Sequence, residues 1–186
     1  MKKILLGMAF LSIASVQAQE VNSLAVEPVQ KGNWMVGASI ASLGYAFESE
    51  QFNINLAPQA GYFIQDNLAL GLKLGLGWVT VKNADNFFTY ELSPFIRYYF
   101  PSAAAGNGRF FVQGDIGVTG TSAANADAAL KVGANVGYAH FLNRHVAVEV
   151  TAGYNYSESN FPGADAQSGL GVAAGFQIYL PGGSSK

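Results

Sequence analysis

Two histidines, two loop serines and a scatter of acids are the residues of this chain best suited to catalysis or metal binding, and their spacing speaks against both. His140 and His145 flank one short turn, FLNRH. A histidine works as a general base only within hydrogen-bond reach of the group it activates. Ser157 and Ser159 lie in a different connection, SESNFPGAD, which has carboxylates but no histidine. The loop acids Glu48, Glu50, Asp85, Asp127, Glu158 and Asp165 lack the D-x-D-x-D-G spacing of a calcium loop. The glycines of GLKLGLG lie within an alternating run and open no helix, so they make no phosphate cradle. With no cysteine, the chain has no thiol nucleophile, thiolate metal site or disulfide. The expectation is a protein without enzymatic activity, cofactor or metal.

The remaining chemistry is that of six charged residues embedded in apolar runs: Lys73, Glu91, Arg97, Asp115, Lys131 and Glu149. What they do depends on the elements that carry them. LALGLKLGLGW, residues 68–78, puts Leu or Trp at every second position and Ala, Gly or Lys between, which is the signature of a strand with two unlike faces. Seven further runs share that period, so the strands are expected at 33–47, 52–63, 68–81, 87–100, 109–121, 128–141, 146–156 and 168–180. Each is long enough for a tilted strand to cross a bilayer, about 9–11 residues.

Composition supports an all-β chain of one domain. Its 186 residues include 22 glycines, 13 phenylalanines and 9 tyrosines, with only 12% charged residues against about 25% in ordinary soluble domains. No run reaches the roughly 18 apolar residues of a spanning helix. A formal charge of -2 gives nucleic acid nothing to bind.

Alternation alone fits either a soluble barrel with an oily interior, like a lipocalin, or a membrane barrel with an oily exterior. Volume decides between them. An eight-stranded barrel is only just wide enough for its side chains to fill, and rows such as Leu68 to Trp78 from eight strands would overfill it. The opposite faces are small and weakly charged, as in Gly133, Asn135, Gly137 and Ala139, and suit a narrow polar lumen. The expected fold is therefore an eight-stranded antiparallel up-and-down transmembrane β-barrel, apolar face outward. Trp34, Tyr62, Tyr98 and Tyr138 would ring the turn end, and Trp78, Phe88, Tyr90 and Tyr154 the loop end, as interfacial girdles.

The same parity points the six charges inward, three of each sign, with Arg97 and Glu149 low, Lys73 and Asp115 midway, and Glu91 and Lys131 high. Buried charges persist when paired and hydrogen-bonded, so an ion-pair network with Gln59, Gln113, Asn135 and Gln177 is expected to fill the lumen. Replacing Lys73 by Met should then be milder than removing the acid that faces it. Phe63, Tyr99, Phe111, Phe141 and Tyr179, with Met35, turn inward near the turn end as an aromatic plug.

The N-terminus MKKILLGMAFLSIASVQAQE has the basic start, apolar run and small-residue site of a cleaved secretory signal. The expected organisation is a signal peptide at 1–18, a short periplasmic segment at 19–31, the barrel at 32–180 and a short tail at 181–186.

PQAGYFIQDNLALG (58–71) and VGYAHFLNRHVAVE (136–149) are two versions of one hairpin. With LSPFIRYYF (92–100), they resemble the small outer-membrane β-barrel family of the Bacteroidota type, similar in architecture to OmpX and the OmpA barrel. The resemblance implies residence in the outer membrane among its lipid and lipopolysaccharide, insertion by the barrel assembly machinery, and loops that present a surface to an extracellular partner. Gly175, Ile178 and Leu180 look like the terminal-strand pattern which that machinery reads, although PGGSSK follows where the family usually ends on an aromatic residue. A structural or interaction role in the envelope is the first expectation. A small porin-like channel is the second, and an outer-membrane lipid-modifying enzyme the third.

Overall fold

The structure is a computed structural model that describes residues 28–46, 51–81, 86–101, 107–122, 127–158 and 166–182. The proposed signal peptide, the acids Glu48, Glu50, Asp85 and Asp165, and Ser159 lie outside the described residues. The strands are β1 (Trp34–Ala46), β2 (Gln51–Gln65), β3 (Leu68–Val81), β4 (Phe87–Tyr99), β5 (Gly108–Thr121), β6 (Ala129–Phe141), β7 (Val146–Ser157) and β8 (Gln167–Leu180). Each pairs antiparallel with its neighbour in sequence, and β1 pairs with β8 to close the barrel. This is an eight-stranded, up-and-down transmembrane β-barrel.

Period-two alternation maps directly onto the two sides of the wall. Leu70, Leu72, Leu74, Leu76 and Trp78 are exposed on the outside of β3. On the same strand Ala69 and Gly77 are buried, and Lys73 is largely covered. The soluble-barrel alternative fails on this point, because the oily face is the outer one. Of the eight expected girdle residues, Trp34, Tyr62, Trp78, Tyr90, Tyr98, Tyr138 and Tyr154 are exposed on the outer face, and Phe88 is half-buried. Trp34 packs on Tyr62 with ring centroids 5.1 Å apart, and Trp78 meets Phe88 edge-on at 6.4 Å.

Glycine on the inward face of β2 and β3 makes room for an aromatic ring. A Cβ on Gly71 would come within 2.4 Å of the Phe95 ring and 2.3 Å of the Ala60 carbonyl oxygen, and one on Gly61 within 3.2 Å of the same ring. Phe95 from β4 thus occupies the volume that side chains at these two glycines would need.

The turn end is more built up than the alternation suggests. Gly32 N–H donates to the Phe63 carbonyl at 2.8 Å, and Asn67 N–H to the Val29 carbonyl at 2.7 Å, so the segment before β1 is laced to the β2–β3 turn. Asn67 takes a left-handed φ of 66°, which its short amide side chain tolerates. Its carbonyl accepts from Tyr99 N–H, and its side-chain oxygen from the Arg109 guanidinium at 2.9 Å. Residues 28–31, the end of the expected short periplasmic segment, cap the barrel: Val29 is buried in the interior cluster.

Candidate functional site

The lumen is the candidate site, and it divides into a sealed lower part and a polar chamber above it. Met35 (β1), Phe63 (β2), Tyr99 (β4), Phe111 (β5), Phe141 (β6) and Tyr179 (β8) are all buried, and with Val29 they form one interior cluster at the turn end. Their parity sends them inward. Their position in the last turn of the wall brings them together, with Phe141 and Tyr179 5.2 Å apart and Tyr99 and Phe111 5.4 Å apart.

Directly above lies the first ionic layer. Arg97 Nη1 sits 2.9 Å from both carboxylate oxygens of Glu149, although β4 and β7 lie on different parts of the wall. Arg97 Nε donates to Gln113 Oε1 at 2.7 Å, and the guanidinium lies 4.1 Å from the Phe111 ring centroid. The Tyr99 and Tyr179 hydroxyls are 2.8 Å apart and each reaches Glu149 Oε1 at 3.3 Å. Charge-assisted hydrogen bonds and a ring face satisfy the guanidinium after its removal from water.

The second layer joins the four remaining charges in an alternating chain. Asp115 Oδ2 is 3.0 Å from Lys73 Nζ, Lys73 is 3.2 Å from Glu91 Oε1, and Glu91 Oε2 meets Lys131. Asn135 Nδ2 approaches Asp115 Oδ1 at 3.4 Å, and Ser93 donates to Glu91 at 2.7 Å. The separate middle and upper levels expected from residue counting merge, because Lys73 is long enough to reach diagonally past Ser93, its register partner, to Glu91. Ser93 was not singled out in the sequence. It lies two residues from Glu91, on the same face, and that spacing was the available signal.

Two expectations need correction. Gln177 is fully buried opposite Gly37 and Ala147, but neither its amide nitrogen nor its oxygen has a hydrogen-bond partner among the described residues, so it does not join the network. Nor does the network fill the lumen. A cavity of about 370 Å³ remains, lined by Lys73, Glu91, Lys131, Asn135, Asn155 and Thr151 among others. The small residues Ala57, Gly75, Ala173 and Gly175 on its walls leave that space.

The bridging position of Lys73 reverses the mutational order expected from parity. Lys73→Met leaves the fully covered Asp115 carboxylate with no cation, whereas Asp115→Asn leaves Lys73 paired with Glu91. Lys73→Met should therefore cost more, about 3 kcal/mol, the low end for a buried charge left without its partner, since the Asn135 amide still faces Asp115. Urea unfolding of both variants in detergent checks the order, and a milder effect for Lys73→Met would count against the bridge.

No grouping of His, Cys, Asp and Glu suited to a metal occurs among the described residues. His140 and His145 lie at the turn end, where His145 is exposed, and Ser157 lies at the opposite end of β7.

Known folds can be compared with this geometry. Neisserial surface protein A aligns over 80% of this chain and 97% of its own, with a TM-score of 0.62 and 13% identity. The likeness is one of fold. The outer membrane protein OprG from Pseudomonas aeruginosa aligns over 84% of this chain and 100% of its own, with a TM-score of 0.50 and 11% identity. No protein-family model matches the chain, and no curated protein matches it in sequence. The comparison is thus with small membrane barrels as an architecture, into which the lumenal ion pairs are set.

Proposed function

We propose that this chain is an integral outer-membrane protein with a structural or interaction role in the cell envelope, closed to ion flow. The observation that carries the reading is the interior seal: six large side chains from six strands and Val29, backed by the Arg97–Glu149 layer. Within a lumen this narrow such a stack leaves no continuous water path. The apolar outer band and its aromatic girdles suit outer-membrane lipid and lipopolysaccharide. The GYF and Val-Ala-Val hairpin motifs favour the Bacteroidota-type family, with export by a signal peptide, insertion by the barrel assembly machinery, and loops open to an extracellular partner. An enzymatic role has little support, since the histidines and the loop-end serine sit at opposite ends of the wall.

The chamber of about 370 Å³ favours a second reading, a small porin-like channel. Single-channel recording in planar bilayers separates the two. The closed barrel should give no stable unitary current, and reproducible conductance steps from the wild-type protein would favour the channel.

A further inference from the structure

The β1–β8 seam of the closed barrel is paired over only part of its length among the described residues. Pairing between β1 and β8 runs from Trp34↔Leu180 to Ile40↔Ala174, and no further pair forms among the described residues. Both strands continue beyond that point: β1 pairs with β2 up to Ala46↔Gln51, and β8 with β7 up to Ser157↔Gln167. The parting coincides with the register shift between Ile40 and Ser42 in β1, where one extra residue faces β2, and a bulge of this kind disrupts the local ladder.

The inner surface of β8 shows the same parting independently. A Cβ on Gly175 would come within 2.5 Å of the Ala38 carbonyl oxygen on β1. Among the described residues, a Cβ on Gly171 would meet only the Asn155 amide, at 3.7 Å on β7, and one on Gly169 nothing within 4 Å. β1 has withdrawn. The outward residues there are unusually bare, with Leu170 88% and Val172 66% exposed.

The notch lies at membrane depth. Leu170 is the register partner of Tyr154 in the loop-end girdle, so Gly171–Ala173 fall on the membrane side of it. An unpaired strand edge is tolerated at that depth where it lines a water-filled cavity. The lumenal chamber supplies one. Its lining includes Gly171, Ala173 and Gly175 of β8, so the chamber reaches the stretch where β8 is no longer paired with β1.

We propose that this notch is a lateral portal, through which a single-chain amphiphile with an uncharged, hydroxyl-bearing head enters the chamber from the outer leaflet. Leu170 and Val172 on the outer face of β8 offer the tail an apolar rim. The head meets Asn135, Asn155 and Thr151, groups that exchange hydrogen bonds with hydroxyls. A charged head finds no free counter-charge, because Lys73, Glu91, Asp115 and Lys131 are already committed to one another, and breaking such a pair in a covered site is costly. The volume of about 370 Å³ falls within the range of small-molecule pockets, roughly 300–1,000 Å³. The proposal is independent of whether the lumen conducts.

The test uses the full barrel, native mass spectrometry from micelles, and 1-monolauroylglycerol as probe. Continuing the β1–β8 register past the bulge sets Ser42 opposite Ala173, and the chain has no cysteine of its own, so oxidation of Ser42→Cys with Ala173→Cys, confirmed by the loss of both free thiols, draws the two strands together as a reversible staple across the notch. The wild type should retain one monolauroylglycerol. The oxidised staple should retain none, and reduction of the same sample should restore it, which excludes misfolding as the cause. Dodecanoate and dodecyltrimethylammonium should not be retained. Unchanged retention in the oxidised staple would mean entry through the loop mouth and would overturn the portal. Equal retention of the charged amphiphiles would overturn the assignment of the head. No retention by the wild type, or a dimer whose formation the staple abolishes, would overturn the proposal as a whole.

Discussion

Glu149→Leu is expected to destabilise the barrel by roughly 3–5 kcal/mol, the cost of leaving a buried charge without its partner. Both Glu149 oxygens lie 2.9 Å from Arg97 Nη1, and both residues are buried. Without the carboxylate, the guanidinium keeps Gln113, the Tyr99 hydroxyl and the Phe111 ring, none of which carries negative charge. The double variant Arg97→Met with Glu149→Leu should recover most of the loss, because burying two apolar side chains incurs no charge desolvation. Tyr99 and Tyr179 keep their bond to one another, 2.8 Å between hydroxyls. Urea titration followed by heat-modifiable gel migration measures both variants. If the double variant is as unstable as the single, the pair is not what Glu149 contributes.

Phe111→Ala should cost a similar amount, about 3–5 kcal/mol, for a different reason: it opens a cavity in a packed cluster. The Phe111 ring lies between Tyr99, 5.4 Å between centroids, and the Arg97 guanidinium, so its loss loosens the seal and the ionic layer together. Phe111→Leu keeps much of the volume and should lose less than half as much. The variant Phe111→Ala with Tyr179→Ala should also let ions leak from vesicles that the wild type leaves tight. Unfolding curves for the three variants and a vesicle ion-flux assay provide the checks. Wild-type stability in Phe111→Ala would show that the ring is not part of a packed core.

How much was legible beforehand differs between the wall and the lumen. The period-two rows predict strands whose ends fall within one or two residues of those observed, as at 33–47 against Trp34–Ala46 and 109–121 against Gly108–Thr121. Strand ends are readable here because connections such as IQDN and LNRH break the alternation with turn-forming residues. The side that each luminal residue faces was readable for the same reason. Its partner was not: Gln177 shares the parity of Gln113 yet stays out of the network, since parity gives direction but neither depth nor reach.

Residues 28–33 show the same limit in another form. No period marks Val29 as part of a core, because its burial depends on the β2–β3 turn folding back onto it through Asn67 and Gly32. The bulge after Ile40 was equally silent in the sequence, where a single extra residue in a run of small side chains, ASIASLG, leaves the pattern nearly intact.

By itself, then, the sequence determined the strands, the lipid-facing side of each and the closed architecture, because all three follow from side-chain alternation, which is local. Only the tertiary structure decided that Lys73 bridges two acids, that Arg97 crosses the lumen to Glu149, that a chamber remains above them and that the wall parts between β1 and β8. Those features depend on strand tilt, on the register around a closed ring and on one bulge. Each arises from strands brought together by closure, so no single stretch of the chain carries it.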